Sequence, residues 1–197
     1  MRYDKDHKQQ TRGKVLDAAA RTIRASGPDR IGVASVMAEA GLTHGGFYAH
    51  FSSKDDLVIA AIGHMFEQSA ARLRRETEGR GPVEGLAAYV DFYLSARHRD
   101  ARASGCPIAA LASDLPRLTD PARAIFADGL RRLTAALGER ISALGRLDAD
   151  AEARSLVAEL VGALSLARIE PDRKQSDAIL SASRRLVKER LGLGPRA

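Results

Sequence analysis

The chain has 197 residues, with 31 Lys+Arg against 25 Asp+Glu, a formal net charge of +6 that is compatible with a nucleic-acid partner but establishes none. Hydrophobic residues make up 45% and charged residues 28%, too apolar for disorder, and a chain this long can bury about 70% of its unfolded surface without staples. The single cysteine, Cys106, excludes an intramolecular disulfide framework and a Cys-rich zinc site; no run approaches the ~20 apolar residues of a membrane span, and Met1–Gln10 lacks the apolar core of a secretion signal, so no membrane and a cytoplasmic location are expected.

Strand signals are absent and alanine is abundant, so the expected fold is all-α, with about nine helices. Val15, Leu16, Ala19, Ala20 and Ile23 share one face of a first helix, which follows a flexible tail over 1–9 and stops at Ser26-Gly27-Pro28. A short helix fits Val33–Ala40, ended by Gly41, and another runs from Thr43, an N-cap, to about Phe51. The next starts near Ser53, whose hydroxyl caps it, with Asp55 and Asp56 at the positive end of its dipole. It carries Leu57, Ala61, His64, Met65 and Gln68 on one side and Val58, Ile62 and Phe66 on another, so it should join two cores.

Gly79-Arg80-Gly81-Pro82 is a break, followed by a helix with the stripe Val83, Leu86, Ala87, Val90 and Leu94. Ser95–Gly105 is polar and Arg-rich, a loop or frayed helix end. Pro107 opens a short apolar helix that stops before Pro116. Asp120-Pro121 marks a start, Asp as N-cap and Pro at the first helical position, of a long helix with Phe126, Leu130, Leu133, Leu137, Ile141 and Leu144 at intervals of three or four. Asp148–Ile169 and Ser176–Leu191 are the last two helices, separated at Glu170-Pro171.

Ile31–Lys54 carries the functional signal. Two short helices joined by Gly41-Leu42 have the length and turn of a helix-turn-helix. The second contains Gly45-Gly46, which cost about 1 kcal/mol each in helix propensity, so packing must hold it. Phe47 and Phe51, four apart, supply one buried face, with Val36 and Leu57 as expected partners. The other face presents Thr43, His44, Gly45, Tyr48 and His50, with Lys54 just beyond: a hydrogen-bonding, cationic surface with no side chain at the glycines to hold the backbone away from duplex DNA.

These residues, together with Thr11-Arg12, Val15–Ala19 and Lys54-Asp55-Asp56-Leu57, resemble the N-terminal domain of TetR/AcrR-type transcriptional regulators over about residues 10–60. The resemblance implies a DNA-binding domain over 1–54 and a ligand-binding and dimerisation domain over 55–197. It implies a homodimer on a palindromic double-stranded operator, usually a repressor released by a small molecule, with no cofactor. Carried over by position, Thr43 resembles the phosphate-binding cap. His44, Gly45 and Gly46 occupy the positions that meet base edges. Tyr48 and His50 resemble the backbone-contacting pair, and Lys54 the lysine that holds a phosphate. Val33 and Ala34 stand where other members carry polar phosphate ligands.

The C-terminal part is less telling. Tyr89, Phe92 and Tyr93 share a face and, with Met65, Phe66, Cys106 and Leu111 or Leu164, either line a pocket or form ordinary core. Cys106, before Pro107 and after Arg97, His98, Arg99 and Arg102, is either a thiolate-prone sensor of oxidants and electrophiles or an inert small hydrophobe. Leu156, Leu160 and Leu164, with Ile179 and Leu186, give the last two helices apolar faces for a four-helix interface between subunits or for packing within one. No nucleophile elbow, P-loop, dinucleotide fingerprint or His-Glu-x-x-His pair occurs, so no enzyme and no metal site are expected; a ligand-binding or thiol-reactive sensor of the same fold without operator binding is the alternative.

Overall fold

The apolar stripe Val15, Ala18, Ala19, Ala20 and Ile23 is fully buried on α1 (Arg2–Ser26) in the computed structural model, which describes residues 2–194. The tail over 2–9, expected to be flexible, instead continues this helix: Lys8, Gln9 and Gln10 favour it, and no proline or glycine intervenes before Gly13. α2 (Val33–Glu39) ends in a Schellman turn, with Gly41 at φ +73°, Leu42 N–H donating to the Met37 carbonyl at 2.9 Å and Gly41 N–H to Ala38 at 3.0 Å.

The next element departs from expectation. His44–Ala49 is a 3-10 turn, not an α-helix, closed by Gly46 N–H on the Thr43 carbonyl at 3.1 Å and His50 N–H on Phe47 at 2.9 Å. Two adjacent glycines lower the helix propensity enough that packing of the phenylalanines, rather than a run of α-helical bonds, sets its shape. Thr43 has extended backbone at the cap position, but its hydroxyl makes no capping bond.

α3 (Lys54–Thr77) begins as expected, Ser53 Oγ accepting from the Asp56 N–H at 3.1 Å. It packs against α1 on one side and against α4 (Pro82–Tyr93), α6 (Pro107–Leu111) and α7 (Asp120–Ser142) on the other, joining the two cores. The segment Ser95–Gly105 is folded rather than loose: α5 (Ala96–Asp100), capped by Ser95 Oγ, leads into a 3-10 turn at Arg102–Ser104. Its anchor is Arg99, a buried guanidinium that donates to Asp100, to Ser176 Oγ at 2.8 Å and to Asp177 at 2.5 Å.

α7 starts one residue earlier than the Asp-Pro pair suggested, with Thr119 as N-cap and Pro121 in the first turn. α8 (Ala149–Ile169) and α9 (Arg173–Leu191) pack against each other, α9 starting three residues before Ser176 because Asp172 Oδ1 caps it through the Gln175 N–H at 2.9 Å. Ser176 lies inside the helix, buried, and donates to the Ala167 carbonyl at 2.6 Å. Among the described residues there is no strand, and no helix is long and apolar enough to cross a membrane.

Candidate nucleic-acid interface and adjoining cavity

Phe47 and Phe51 are both buried, their rings 5.7 Å apart and stacked, in the core that also holds Val36, Met37 and Leu57. Arg12 of α1 covers the Phe51 ring at 4.8 Å, a cation–π contact that ties the turn to the first helix. With one side of the turn fixed in this way, the opposite side is left open. Thr43, His44 and Gly45 are exposed, and Tyr48 is 71% exposed, its ring set edge-on to Phe47 at 5.2 Å.

The two glycines have ordinary backbone angles. A Cβ on Gly45 would meet nothing within 4 Å, and one on Gly46 would touch Met37 Cε at 3.6 Å. Nothing inside the chain therefore demands glycine at position 45, and its missing side chain matters only toward a partner approaching from outside.

His50 is half-buried, with Nδ1 enclosed and unpartnered; burial, then the nearby Lys8 and Arg12 charges, lowers its pKa. Lys54 is exposed at the first position of α3, and its Nζ donates to the Asp29 carbonyl at 3.0 Å, latching the loop between α1 and α2. All seven residues singled out from the sequence thus belong to one contiguous stretch, five of them exposed and Gly46 and His50 half-buried.

Above this region lies a cavity of about 300 Å³. Tyr89, Phe92, Tyr93 and Cys106 line it, as the aromatic spacing suggested. Met65, Phe66 and Leu164 do not: Met65 and Leu164 are in the core, and Phe66 packs edge-on to Phe126 at 5.1 Å beneath Gly129. Met65 shares the face of α3 that carries Gln68, Ser69 and Arg72 but lies one turn before the lining begins, whereas Phe66 is rotated away from that face and packs on α7. Leu111 is likewise buried in the core and outside the lining. Cys106 is buried, caps α6, and donates its N–H to His98 Nε2 at 3.1 Å.

The cavity's polar wall, Asp17 and Arg24 of α1 with Gln68 of α3, is not among the residues expected from the sequence. One signal was available: Arg24 falls four residues after Ala20, on the buried stripe of α1, where a solvated cation does not belong.

A larger, open groove of about 680 Å³ runs between α7 and α8, lined by Leu130, Thr134, Val157 and Val161 among others. Of the residues expected at a subunit interface, Leu156, Leu160 and Leu164 are already buried within the single chain and cannot present an outer face; Ile179 is half-buried and Leu186 is 50% exposed. The large apolar side chains that α8 does expose are Leu166 at 54% and Ile169 at 77%.

Residues 15–61 match the family model for bacterial regulatory proteins of the tetR family, and residues 82–184 match the tetracyclin repressor-like C-terminal domain. The transcriptional regulator TtgR of Pseudomonas putida is 33% identical over 86 residues, which is 44% of this chain and 40% of that protein. The aligned stretch thus covers less than half of TtgR. LmrA of Bacillus subtilis is 24% identical over 149 residues, 75% of this chain and 79% of LmrA. Among solved structures, a TetR-family regulator from Agrobacterium tumefaciens superposes with a TM-score of 0.76 at 26% identity, covering 93% of this chain and 98% of that one. The reduced form of E. coli NemR gives 0.79 at 21% identity, covering 91% and 96%.

Proposed function

This chain belongs to the TetR family of bacterial regulatory proteins, and we propose that it is a DNA-binding transcriptional regulator that sits on a palindromic operator as a homodimer and represses until a small molecule enters the cavity. The observation that carries the reading is the division of the 43–51 turn. Its phenylalanines are locked inside, while Thr43, His44, Gly45 and Tyr48 stand open beside Lys54. Such a surface offers hydroxyl and cationic groups for phosphates, an imidazole for a base edge, and bare backbone for close approach. With few side chains reaching bases, selectivity rests on His44 and on DNA shape. Two such turns must lie about 34–36 Å apart to meet successive major grooves, so a few ångströms of movement in α3 suffices for release.

The test is selection of duplex fragments by the purified full chain, followed by titration of the winners at rising salt, where affinity should fall steeply. Tyr48→Ala is expected to weaken every fragment alike, and His44→Ala to change which is preferred. Gly45→Ala is expected to leave the melting temperature unchanged or slightly raised, because the methyl meets open space and alanine favours helical backbone, while weakening duplex binding at least about tenfold. Failure to retain any duplex at low ionic strength would overturn the reading.

A further inference from the structure

We infer that the cavity beside α1 takes a small amphipathic monocarboxylate, its anionic end on Arg24 and its apolar body against Tyr89, Phe92 and Tyr93; this inference rests on the regulator reading only for its effect on DNA. Arg24 is 6% exposed at the cavity wall, and its Nε is enclosed with no hydrogen-bond partner, so this guanidinium bears a burial cost that a carboxylate seated beside it offsets by its charge. The group is held in place for that role. One terminal nitrogen donates to Gln68 Oε1 at 2.8 Å, and Gln68 Nε2 in turn donates to Asp17 Oδ1 at 2.8 Å, where His64 Nε2 also sits at 2.8 Å. The Tyr93 hydroxyl is a second enclosed donor on the same cavity, facing the Cys106 thiol and lacking any nitrogen or oxygen partner.

Charge around the rim agrees. Arg21, Arg72 and Arg75 line the mouth, Arg21 paired with Glu39 at 2.8 Å and Arg72 with Glu76 at 3.3 Å, while Asp17 is the one carboxylate on the lining. A monoanion is drawn in by the arginines; a dianion would meet Asp17 as well. The Arg72 guanidinium lies over the Phe92 ring at 4.3 Å, holding that wall in place. About 300 Å³ is at the small end of the roughly 300–1,000 Å³ typical of ligand sites, which fits a single ring with a short acid chain. Because Arg24 belongs to the helix that supports the DNA-facing turn, an occupant seated on it pulls directly on the DNA-binding module.

The full chain, without DNA, is titrated by calorimetry with benzoate, 3-phenylpropanoate and 5-phenylpentanoate, each beside its primary amide. At least one acid should bind about tenfold tighter than its amide, and Arg24→Gln should reduce that preference below about threefold. Tyr93→Phe keeps the ring, removes the second donor and should also weaken the acid; it replaces Arg24→Gln if that variant does not fold. The site is overturned if no acid is preferred over its amide, or if the preference survives the folded variant. A parallel duplex titration separates the two readings. Acid-selective binding by a chain that ignores every duplex keeps the site and removes the regulator; duplex binding without acid preference does the reverse.

Discussion

His98 is held as a neutral imidazole by two bonds that need opposite characters from its ring. Nδ1–H donates to the Tyr93 carbonyl at 2.8 Å, and Nε2 accepts from the Cys106 N–H at 3.1 Å, so a second ring proton would point at another N–H. Burial above all, with the Arg168, Arg72 and Arg24 charges, lowers its pKa from 6.5 to about 4. Well above pH 6.5 the ring is neutral in both the folded and the unfolded chain. As pH falls from 6.5 toward 4 the unfolded chain takes up the proton first, so stability declines, by about 3 kcal/mol at most from this one group. Urea unfolding at pH 7 and pH 4.5 should show the decline, and His98→Gln, less stable at pH 7, should show a smaller one; an equal decline in both would reject the assignment. None of this was legible in the sequence, where His98 reads as one more basic residue in an Arg-rich stretch. By contrast, Phe47 and Phe51 announced their burial through their spacing, and Tyr48 its exposure by lying between them.

Where helices α3 and α7 cross, a glycine sets the separation. A Cβ on Gly129 would overlap the Phe66 ring, which is buried and backed by Phe126, so it has nowhere to swing. Gly129→Ala should therefore lower stability by about 1–3 kcal/mol despite the better helix propensity of alanine, measurable as a fall in the urea midpoint at unchanged slope. A neutral or stabilising outcome would mean that the two helices part easily. Of the stripe Phe126, Leu130, Leu133, Leu137, Ile141 and Leu144 read from its period, Phe126, Leu133, Leu137 and Ile141 are buried and Leu130 and Leu144 are half-buried. Gly129 was not legible in this way, because a glycine inside a helix reads as a local cost until the partner helix is known. The same holds for α5: its arginines looked like a solvated loop, whereas Arg99 is a buried tie to α9 that only the tertiary fold supplies.

For the whole molecule, the homodimer proposed above needs outer apolar side chains on α8 and α9, and Leu166 and Ile169 of α8 and Leu186 of α9 are exposed there. Sedimentation should find a dimer, and Ile169→Glu with Leu186→Glu should yield monomers that melt close to the parent fold yet bind duplex far more weakly. Loss of the fold itself, or an unchanged dimer, would place the contact elsewhere. Periodicity identified α8 and α9 as apolar but could not say which stripe looks inward, since Leu156, Leu160 and Leu164 satisfy either choice; only the closure of α7 over α8 decides it. α3 belongs to both halves: Leu57 and Ala61 complete the core under the 43–51 turn and His64 and Gln68 bond Asp17 and Arg24 of α1, while Phe66 between them packs on Phe126 of α7. A hybrid carrying this head on another regulator's body therefore has no clean seam at residue 54. Any splice inside the helix between Ala61 and Gln68 parts one set of these partners, and a one-residue error there would rotate the entire head by about 100° relative to its new body.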